Sequence, residues 1–257
     1  MRVATWNVNS LKIRLPQVLE WTASAAPDVL AMQEIKQLTE AVPLETFREQ
    51  GYHAIASGQK TYNGVATIAR DPVLEPVFDL PDFEDRERRV LAATIGPLRV
   101  VNVYVPNGQR IGSLKYEYKL GWLAALERYL RAEMSRHEQL VVLGDFNVAP
   151  EDRDVYDPEA WGEAVLCSTA ERAALRGILD LGFVDVFRRF EQPEKTFSWW
   201  DYRAGMFRRN RGLRIDLILA SPRLADRCTK SWVDRTPRAW ERPSDHAPVI
   251  AEFDLQP

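Results

Sequence analysis

Short apolar runs rich in β-branched residues alternate along the chain with segments of helical periodicity. Runs that are almost entirely apolar are typical of strands buried on both faces of a sheet. The predicted strands are residues 3–8, 28–32, 52–56, 64–69, 90–95, 99–105, 140–143, 214–219 and 249–253. The predicted helices are residues 11–25, 115–134 and 170–181. In the second helix, apolar residues recur at intervals of three and four: Leu120, Leu123, Leu126 and Leu130.

Strands and helices interleave along the whole chain, which favours the α/β class. The proline-containing stretches 72–81 and 237–243 are predicted to be loops. Periodicity alone leaves open whether the strands form one sheet or two. No low-complexity linker divides the chain, and candidate site residues come from both of its ends. We therefore expect one domain spanning residues 1–257.

The composition indicates a folded protein that does not coat nucleic acid through bulk positive charge. The chain has 257 residues, of which 46% are hydrophobic, and a formal net charge of −3 at pH 7. This balance still allows a nuclease, because carboxylates that hold a metal lower the net charge while a basic rim contacts the substrate.

The cysteine content and the apolar runs predict a cytoplasmic protein without a membrane partner. Cys167 and Cys228 are too few for a disulfide framework and lack the paired spacing of a zinc site. The first residues show no basic segment followed by a long apolar one. No apolar run approaches the roughly 18–20 residues of a membrane helix.

Acidic and amide side chains stand at the ends of apolar strand-like runs. These side chains are Asn7, Asn9, Glu34, Asp145, Asn147, Asp216 and Asp245, the last followed by His246. Taken singly, each is more often a turn residue or a helix cap than a functional group. Asp216 is harder to dismiss because it lies inside an apolar run. A buried charge costs several kcal/mol unless it is paired or bound to a metal.

The donor types favour metal-assisted hydrolysis. Hard oxygen ligands suit Mg²⁺ or Mn²⁺ better than zinc, and His246 is the only one of three histidines that lies in such a cluster. The chain has no Gly-x-Ser-x-Gly elbow and no Walker phosphate loop, so serine nucleophiles and triphosphate hydrolysis lack their usual parts. A metal ion and an activated water remain as the predicted chemistry.

Eight motifs along nearly the whole chain surround these candidate residues: Trp6-Asn7-Val8-Asn9, Gln33-Glu34-Ile35-Lys36, Tyr62-Asn63-Gly64-Val65, Asn102-Val103-Tyr104-Val105-Pro106-Asn107-Gly108, Gly144-Asp145-Phe146-Asn147, Phe197-Ser198-Trp199-Trp200-Asp201-Tyr202-Arg203, Leu213-Arg214-Ile215-Asp216 and Ser244-Asp245-His246-Ala247-Pro248. In these motifs and in their order, the chain resembles the exonuclease III/apurinic-apyrimidinic endonuclease family, within the endonuclease/exonuclease/phosphatase superfamily. The resemblance implies a four-layer α/β sandwich, with two packed mixed β-sheets flanked by helices and the site at one edge of the sheets.

The resemblance also implies a metal-ligand set. Glu34 would be the main ligand of Mg²⁺ or Mn²⁺, and Asp245 would support the metal directly or through water. Asn7 would help to hold these ligands in place. Asn9 is a further candidate, although an amide is a poorer ligand for a second metal than a carboxylate, and the sequence leaves open whether one metal or two act.

Catalytic roles are implied in the same way. Asp145 would orient and deprotonate the attacking water, and Asn147 would hold that water or a phosphate oxygen. His246, paired with Asp216, would donate to a phosphate oxygen. Tyr104 would stabilise charge on the phosphoryl group or the leaving oxygen. The alternative base is the His246–Asp216 dyad, and the sequence does not choose between them.

Arginines and aromatic residues interleave between residues 199 and 214, which favours a nucleic-acid substrate. Guanidinium groups contact phosphates, and indoles stack on bases or wall an abasic-sugar pocket. The alternative is that the aromatic residues are core and the arginines a solvated face. The candidate DNA-binding residues are Trp199, Arg203, Arg208, Arg209 and Leu213, with Tyr62, Asn63, Gly64, Asn107 and Arg110 as weaker ones.

Leu166 is the candidate specificity residue. By its spacing to Glu171, it falls where vigorous abasic-site endonucleases of the family tend to carry a small residue. A bulky Leu166 would hinder access of a flipped-out abasic sugar while leaving a frayed 3′ end accessible.

These features predict a Mg²⁺- or Mn²⁺-dependent DNA repair phosphodiesterase. We expect 3′→5′ exonuclease activity on double-stranded DNA, removal of 3′-blocking phosphates and cleavage 5′ to abasic sites. The expected partner is double-stranded DNA with abasic sites, nicks or 3′ ends, bound by a monomer. The alternatives are a terminal 3′-phosphatase and exonuclease with weak abasic-site activity, a superfamily phosphatase acting on inositol or lipid phosphates, and a non-catalytic DNA-binding protein.

Overall fold

Twelve strands and six α-helices make up the structure, a computed structural model that describes residues 1–255; strands β3 to β7 follow one another without a helix between them. The last two residues of the expected 1–257 domain lie outside this range. The strands are β1 (Arg2–Asn7), β2 (Val29–Gln33), β3 (His53–Ser57), β4 (Val65–Ala69), β5 (Val73–Phe78), β6 (Val90–Ile95), β7 (Leu98–Tyr104), β8 (Leu140–Asp145), β9 (Val184–Asp185), β10 (Asp216–Ala220), β11 (Cys228–Val233) and β12 (Val249–Phe253). The helices are α1 (Leu11–Ala25), α2 (Leu44–Glu49), α3 (Leu114–Arg136), α4 (Pro158–Trp161), α5 (Thr169–Leu179) and α6 (Pro222–Ala225).

The strands form two mixed six-stranded sheets. The first sheet has the order β11-β12-β1-β2-β4-β3, and the second has the order β5-β6-β7-β8-β10-β9. In the first sheet β1 and β2 run parallel, and in the second β7 and β8 do. Each parallel pair is joined through one helix, α1 or α3, as a parallel connection requires.

The core lies in three layers of side chains that hold two sheets and two groups of helices together. Between the sheets, Val3 and Ala31 of the first sheet pack with Val141 and Ile218 of the second. Helices α1 and α2 cover the outer face of the first sheet, and α3 and α5 cover the outer face of the second. The expected four-layer α/β sandwich is therefore confirmed.

Several segments differ from the sequence predictions: helices α2, α4 and α6 and the two-residue strand β9 were not predicted, and β5 and β11 are described next. Residues 72–81, predicted to be a loop, contain β5, so that prediction is wrong. Pro76 is tolerated there because β5 is an edge strand with a register irregularity between Leu74 and Val77. Strand β11 was not predicted because its apolar residues are few and its outer positions are exposed.

The helices of the described residues give no membrane-spanning candidate. None of them combines the length and the apolar character that crossing a bilayer requires.

Candidate functional site

One edge of the two sheets collects the predicted site residues. Asn7 ends β1, Glu34 follows β2, and Asp145 ends β8. Strand β10 runs antiparallel to β8, so its first residue, Asp216, lies opposite Asp145. Strand β12 runs antiparallel to β1, which brings the preceding His246 to the same edge. Residues from distant parts of the chain thus meet because of strand direction alone.

Glu34, Asp145 and His246 form a compact cluster at this edge. Each offers one ligand atom, and these atoms lie within 4.8 Å of one another. The side-chain nitrogen of Asn7 donates to the Glu34 carboxylate at 2.8 Å and to the Asp145 carboxylate at 2.9 Å. Lys36 pairs with the same Glu34 carboxylate at 2.8 Å. Two carboxylates on a shared amide offer the hard oxygen donors that suit a divalent cation.

Asp245 and Asn9 lie beside this cluster. Asp245 accepts hydrogen bonds from the side-chain nitrogen of Asn9 at 2.9 Å and from the indole of Trp199 at 3.0 Å. Burial opposes ionisation of Asp245, but the charge of His246 and these two donors lower its pKa below the usual value. Among residues 1–255, Asp245 is not part of the three-residue cluster. The ligand roles of Asp245 and Asn9 therefore stay predictions.

Asn147 holds the Asp145 carboxylate from one side. Asp145 accepts the backbone N–H of Asn147 at 2.9 Å, and the Asn147 side chain lies 3.3 Å from the other carboxylate oxygen. Burial raises the pKa of Asp145 to about 7; the positive charge of His246 opposes this rise and the negative charge of Asp216 adds to it. A carboxylate with such a pKa is a competent proton acceptor near neutral pH.

His246 is held by a buried carboxylate. Its Nδ1 lies 2.9 Å from Asp216, and Asp216 also accepts the hydroxyl of Ser198 at 2.6 Å. The other ring nitrogen, Nε2, lies 3.7 Å from Asp145. Although burial opposes a charged ring, the carboxylates of Asp216 and Asp145 raise the pKa of His246 to about 10. Its ring is therefore an imidazolium donor at neutral pH in the metal-free protein. Ser198 lies in one of the eight motifs, but its contact with Asp216 was not predicted from the sequence.

Tyr104 lies next to the cluster at the end of β7 and is almost fully buried. Burial, together with the negative charges of Glu34 and Asp145, raises its pKa well above the usual value. The Arg89 guanidinium stacks over its ring at 4.7 Å. Tyr104 is thus a protonated hydroxyl donor. Arg89 was missed because nothing near it in sequence marks a site.

The loop of Tyr62, Asn63 and Gly64 supports the Glu34 segment from behind. The backbone carbonyl of Asn63 accepts the Lys36 N–H at 2.9 Å, and that of Gly64 accepts the Ile35 N–H at 3.2 Å. Gly64 has φ +86°, and a Cβ there would lie 2.6 Å from Ile35. Tyr62 is 67% exposed, whereas Asn63 is buried. Of the three, the side chain of Tyr62 alone is available to a substrate.

The arginine-rich stretch divides into exposed and buried members. Arg203, Arg208 and Arg209 are exposed, and Arg203 pairs with Asp201 at 2.6 Å. Arg214, by contrast, is fully buried in ion pairs. The structure excludes Arg214 from contact with phosphates.

Trp200 and Trp199 differ in the same way. Trp200 is fully buried against Phe207, so it is a core residue. Trp199 is half-buried and packs against an apolar cluster that contains Leu166 and Leu213. Because Trp199 also donates to Asp245, this cluster adjoins the carboxylate site.

Leu166 occupies this cluster with a strained backbone. Its side chain is 5% exposed, and its φ of +79° lies in the left-handed region. The predicted specificity residue and the predicted pocket residues Trp199 and Leu213 are thus brought together. Across the site, the side-chain nitrogen of Asn107 donates to Asn147 at 3.2 Å.

The chain resembles known nucleases over its whole length. The family profile described as Endonuclease/Exonuclease/phosphatase family matches residues 4–246. An exodeoxyribonuclease III from Haemophilus influenzae is 37% identical, covering 98% of this chain and 100% of the relative. A 3′ phosphatase from Neisseria, solved with a product DNA hairpin, has a TM-score of 0.98 and 48% identity, covering 99% of this chain and 100% of that one. An AP endonuclease from Archaeoglobus fulgidus has a TM-score of 0.95 and 41% identity, with the same coverage of 99% and 100%.

The family profile and the relatives agree with the motifs and with the geometry of the sheet edge. This chain belongs to the endonuclease/exonuclease/phosphatase family, in its exodeoxyribonuclease III and AP endonuclease branch.

Proposed function

We propose that this chain is a divalent-metal-dependent DNA repair nuclease of the exonuclease III type. It acts as a 3′→5′ exonuclease on double-stranded DNA, removes 3′-blocking phosphates and cleaves 5′ to abasic sites, with residues 1–257 as one catalytic domain. The observation that carries this proposal is the cluster of Glu34, Asp145 and His246 joined through Asn7, in a chain of this family. Its monomeric state and cytoplasmic location stay predictions.

Glu34 is the proposed main metal ligand, with Asp245, Asn7 and Asn9 as supporting groups, whereas Asp145 stays free of the metal as the base. The Glu34 side chain keeps 19% of its surface exposed, which leaves it accessible from solvent. When bound, Mg²⁺ or Mn²⁺ supplies positive charge that stabilises the phosphoryl oxygens of the transition state. Lys36 provides a weaker positive charge at the same carboxylate.

The protein's own groups supply proton transfer and orientation. Asp145 accepts a proton from the water that attacks phosphorus in line, and Asn147 holds that water by its side chain. His246, kept as an imidazolium by Asp216, donates to a non-bridging phosphate oxygen. Because the His246 ring is already protonated, it cannot accept a proton from water. This favours Asp145 over the His246–Asp216 dyad as the base. As the scissile P–O bond breaks, Tyr104 donates a hydrogen bond from its hydroxyl to the phosphoryl group or to the leaving oxygen, where negative charge develops.

DNA is proposed to lie over the exposed rim of this edge. The rim groups are Tyr62, Asn107, Arg110, Arg203, Arg208 and Arg209, all of which expose their side chains. Guanidinium groups at such positions contact backbone phosphates. Trp199 and Leu213 are proposed to line the space for the terminal sugar.

The balance of activities is proposed to favour 3′ ends over internal abasic sites. Leu166 fills the cluster that Trp199 and Leu213 form beside the carboxylate site. A flipped-out abasic sugar needs that space, whereas a frayed terminus does not. The relative from Neisseria is a 3′ phosphatase, which supports this second candidate.

A substrate panel tests the proposal. Labelled duplexes with a central abasic site, a recessed 3′ end and a 3′-phosphate are incubated with Mg²⁺, with Mn²⁺ and with chelator, beside soluble inositol phosphates. Metal-dependent cleavage of the DNA substrates alone is expected. Turnover of inositol phosphates without turnover of DNA would contradict the proposal, and metal-independent DNA binding without turnover would indicate a non-catalytic protein.

A further inference from the structure

Lys119 and Glu171 form an ion pair that is entirely buried beneath the candidate site. Lys119 lies in the second turn of α3, and Glu171 lies in the first turn of α5. Neither side chain has any exposed surface. Burying two charges does not by itself stabilise a fold relative to a well-packed apolar pair. The pair is therefore more simply explained by the groups that it contacts than by a gain in stability.

The Lys119 ammonium uses its three donors on backbone and carboxylate oxygens. It donates to the carbonyl of Asn147 at 2.6 Å, to the carbonyl of Asn107 at 3.1 Å and to the Glu171 carboxylate. Asn147 has φ +48°, a left-handed conformation that needs support from its surroundings. Lys119 thus holds the backbone of the residue whose amide groups contact Asp145.

Glu171 connects the same ammonium to the segment of Leu166. One carboxylate oxygen accepts the Leu166 N–H at 3.0 Å, and the other accepts the Ser168 N–H at 3.1 Å. The carbonyl of Leu166 in turn accepts the N–H of Ala149 at 2.7 Å. Lys119 and Glu171 therefore close a ring of bonds that joins the Asn147 turn to the Leu166 segment.

A glycine leaves room for the lysine stem. A Cβ at Gly108, where φ is +91°, would lie 3.0 Å from Cδ of Lys119. A side chain at position 108 would therefore displace the stem that carries the buried ammonium.

We propose that the Lys119–Glu171 pair is a positioning element of the hydrolytic site, holding Asn147 against Asp145 and coupling that contact to the Leu166 segment. The pair touches no reacting atom, so it acts through Asn147, Asn107 and Leu166. This role rests on the proposed function. It differs from the roles of the catalytic groups, because the pair only holds the backbone that carries them.

The test compares two variants of the Lys119–Glu171 pair with one control variant, which breaks another buried ion pair in the same helix. Lys119→Met removes the ammonium, and the double variant Lys119→Met/Glu171→Gln also removes the unpaired buried carboxylate, so that folding is preserved. The control is Glu133→Gln. Glu133 lies in the same helix α3 and pairs with Arg99 at 2.6 Å, and both side chains are 4% exposed. Arg99 lies near the opposite end of β7 from Tyr104, away from the site.

Steady-state kinetics on a 3′-phosphate duplex and hydrogen exchange are measured for all four proteins. Since a displacement of about 1 Å costs about a hundredfold in rate, both site variants are expected to lose about 10- to 100-fold in kcat with KM changed less than about threefold. Amide exchange is expected to rise in residues 145–149 and 164–168. The control is expected to lower the melting temperature while kcat of the folded protein and exchange in these segments stay unchanged.

A double variant with wild-type kcat, or an equal loss of kcat in Glu133→Gln, would overturn the positioning role. A wild-type protein that turns over no DNA substrate would overturn the proposed function and this inference with it. The two failures are thus distinguishable, because the first leaves the wild-type activity intact.

Discussion

Replacing Leu166 by glycine is expected to raise cleavage at abasic sites relative to release of a 3′-phosphate. The Leu166 side chain is 5% exposed and packs with Leu213 in the cluster that adjoins Trp199. Its removal is expected to open the space that we propose for a flipped-out sugar. A single methylene in an apolar pocket already discriminates by about 1–3 kcal/mol, so the activity ratio is expected to change by at least about tenfold.

The same substitution has opposing effects on stability. Truncating a buried leucine to alanine costs about 2–5 kcal/mol. The backbone of Leu166 is left-handed, with φ +79°. This conformation lowers stability by about 1–2 kcal/mol for a residue with a Cβ, but not for glycine. Leu166→Gly is therefore expected to be more stable than Leu166→Ala, although both open the pocket.

The assay measures single-turnover rates of wild type, Leu166→Gly and Leu166→Ala on an abasic duplex and on a 3′-phosphate duplex of the same sequence. Thermal unfolding of each protein shows how much of the sample is folded. If the ratio of the two rates is the same in all three proteins, Leu166 does not restrict access of an abasic sugar to the pocket.

Three further predictions concern the carboxylate site. Glu34→Gln is expected to raise the Mg²⁺ concentration for half-maximal rate by at least about tenfold, because loss of groups around a metal costs about 10- to 100-fold in affinity. A titration of the rate with Mg²⁺ measures this, and an unchanged midpoint would show that Glu34 is not a metal ligand. Asp216→Asn is expected to bring the pKa of His246 from about 10 down towards 6.5 in the metal-free protein, followed by NMR. Since the raised pKa stabilises the fold fully below about pH 6.5 and this contribution is lost as pH rises towards 10, the variant should lose stability mainly at acidic and neutral pH. Tyr104→Phe is expected to lower kcat about 10²- to 10³-fold with KM nearly unchanged, and a kcat within a factor of about two would exclude the hydroxyl as a donor.

The location of the site could be predicted from the sequence because its groups follow or precede apolar strands. Asn7 and Asp145 end strands, and Asp216 begins one, so strand direction alone carries them to one edge. The fold class followed from the alternation of the two periodicities and from the family resemblance. Strand β5 was missed because Pro76 indicates a loop unless the strand is known to lie at an edge.

Burial within the arginine-rich stretch could not be predicted, because it depends on partners far away in the chain. Arg214 is indistinguishable in sequence from Arg208, yet Asp154 and Asp185 hold it inside the protein. Lys119 likewise looks like a solvated position of an amphipathic helix. Only the packing of α3 against α5 brings it to Glu171 and to the carbonyls of the site.

In the proposed mechanism, the Asp145 carboxylate at the sheet edge accepts the proton of the attacking water during metal-dependent hydrolysis of DNA. The most direct test is the single-turnover rate of phosphate release from a 3′-phosphate duplex in saturating Mg²⁺, for wild type and Asp145→Asn, with DNA affinity measured in parallel. The rate is expected to fall about 10²- to 10⁴-fold in the variant while DNA is still bound. A variant that releases phosphate at the wild-type rate would contradict the account.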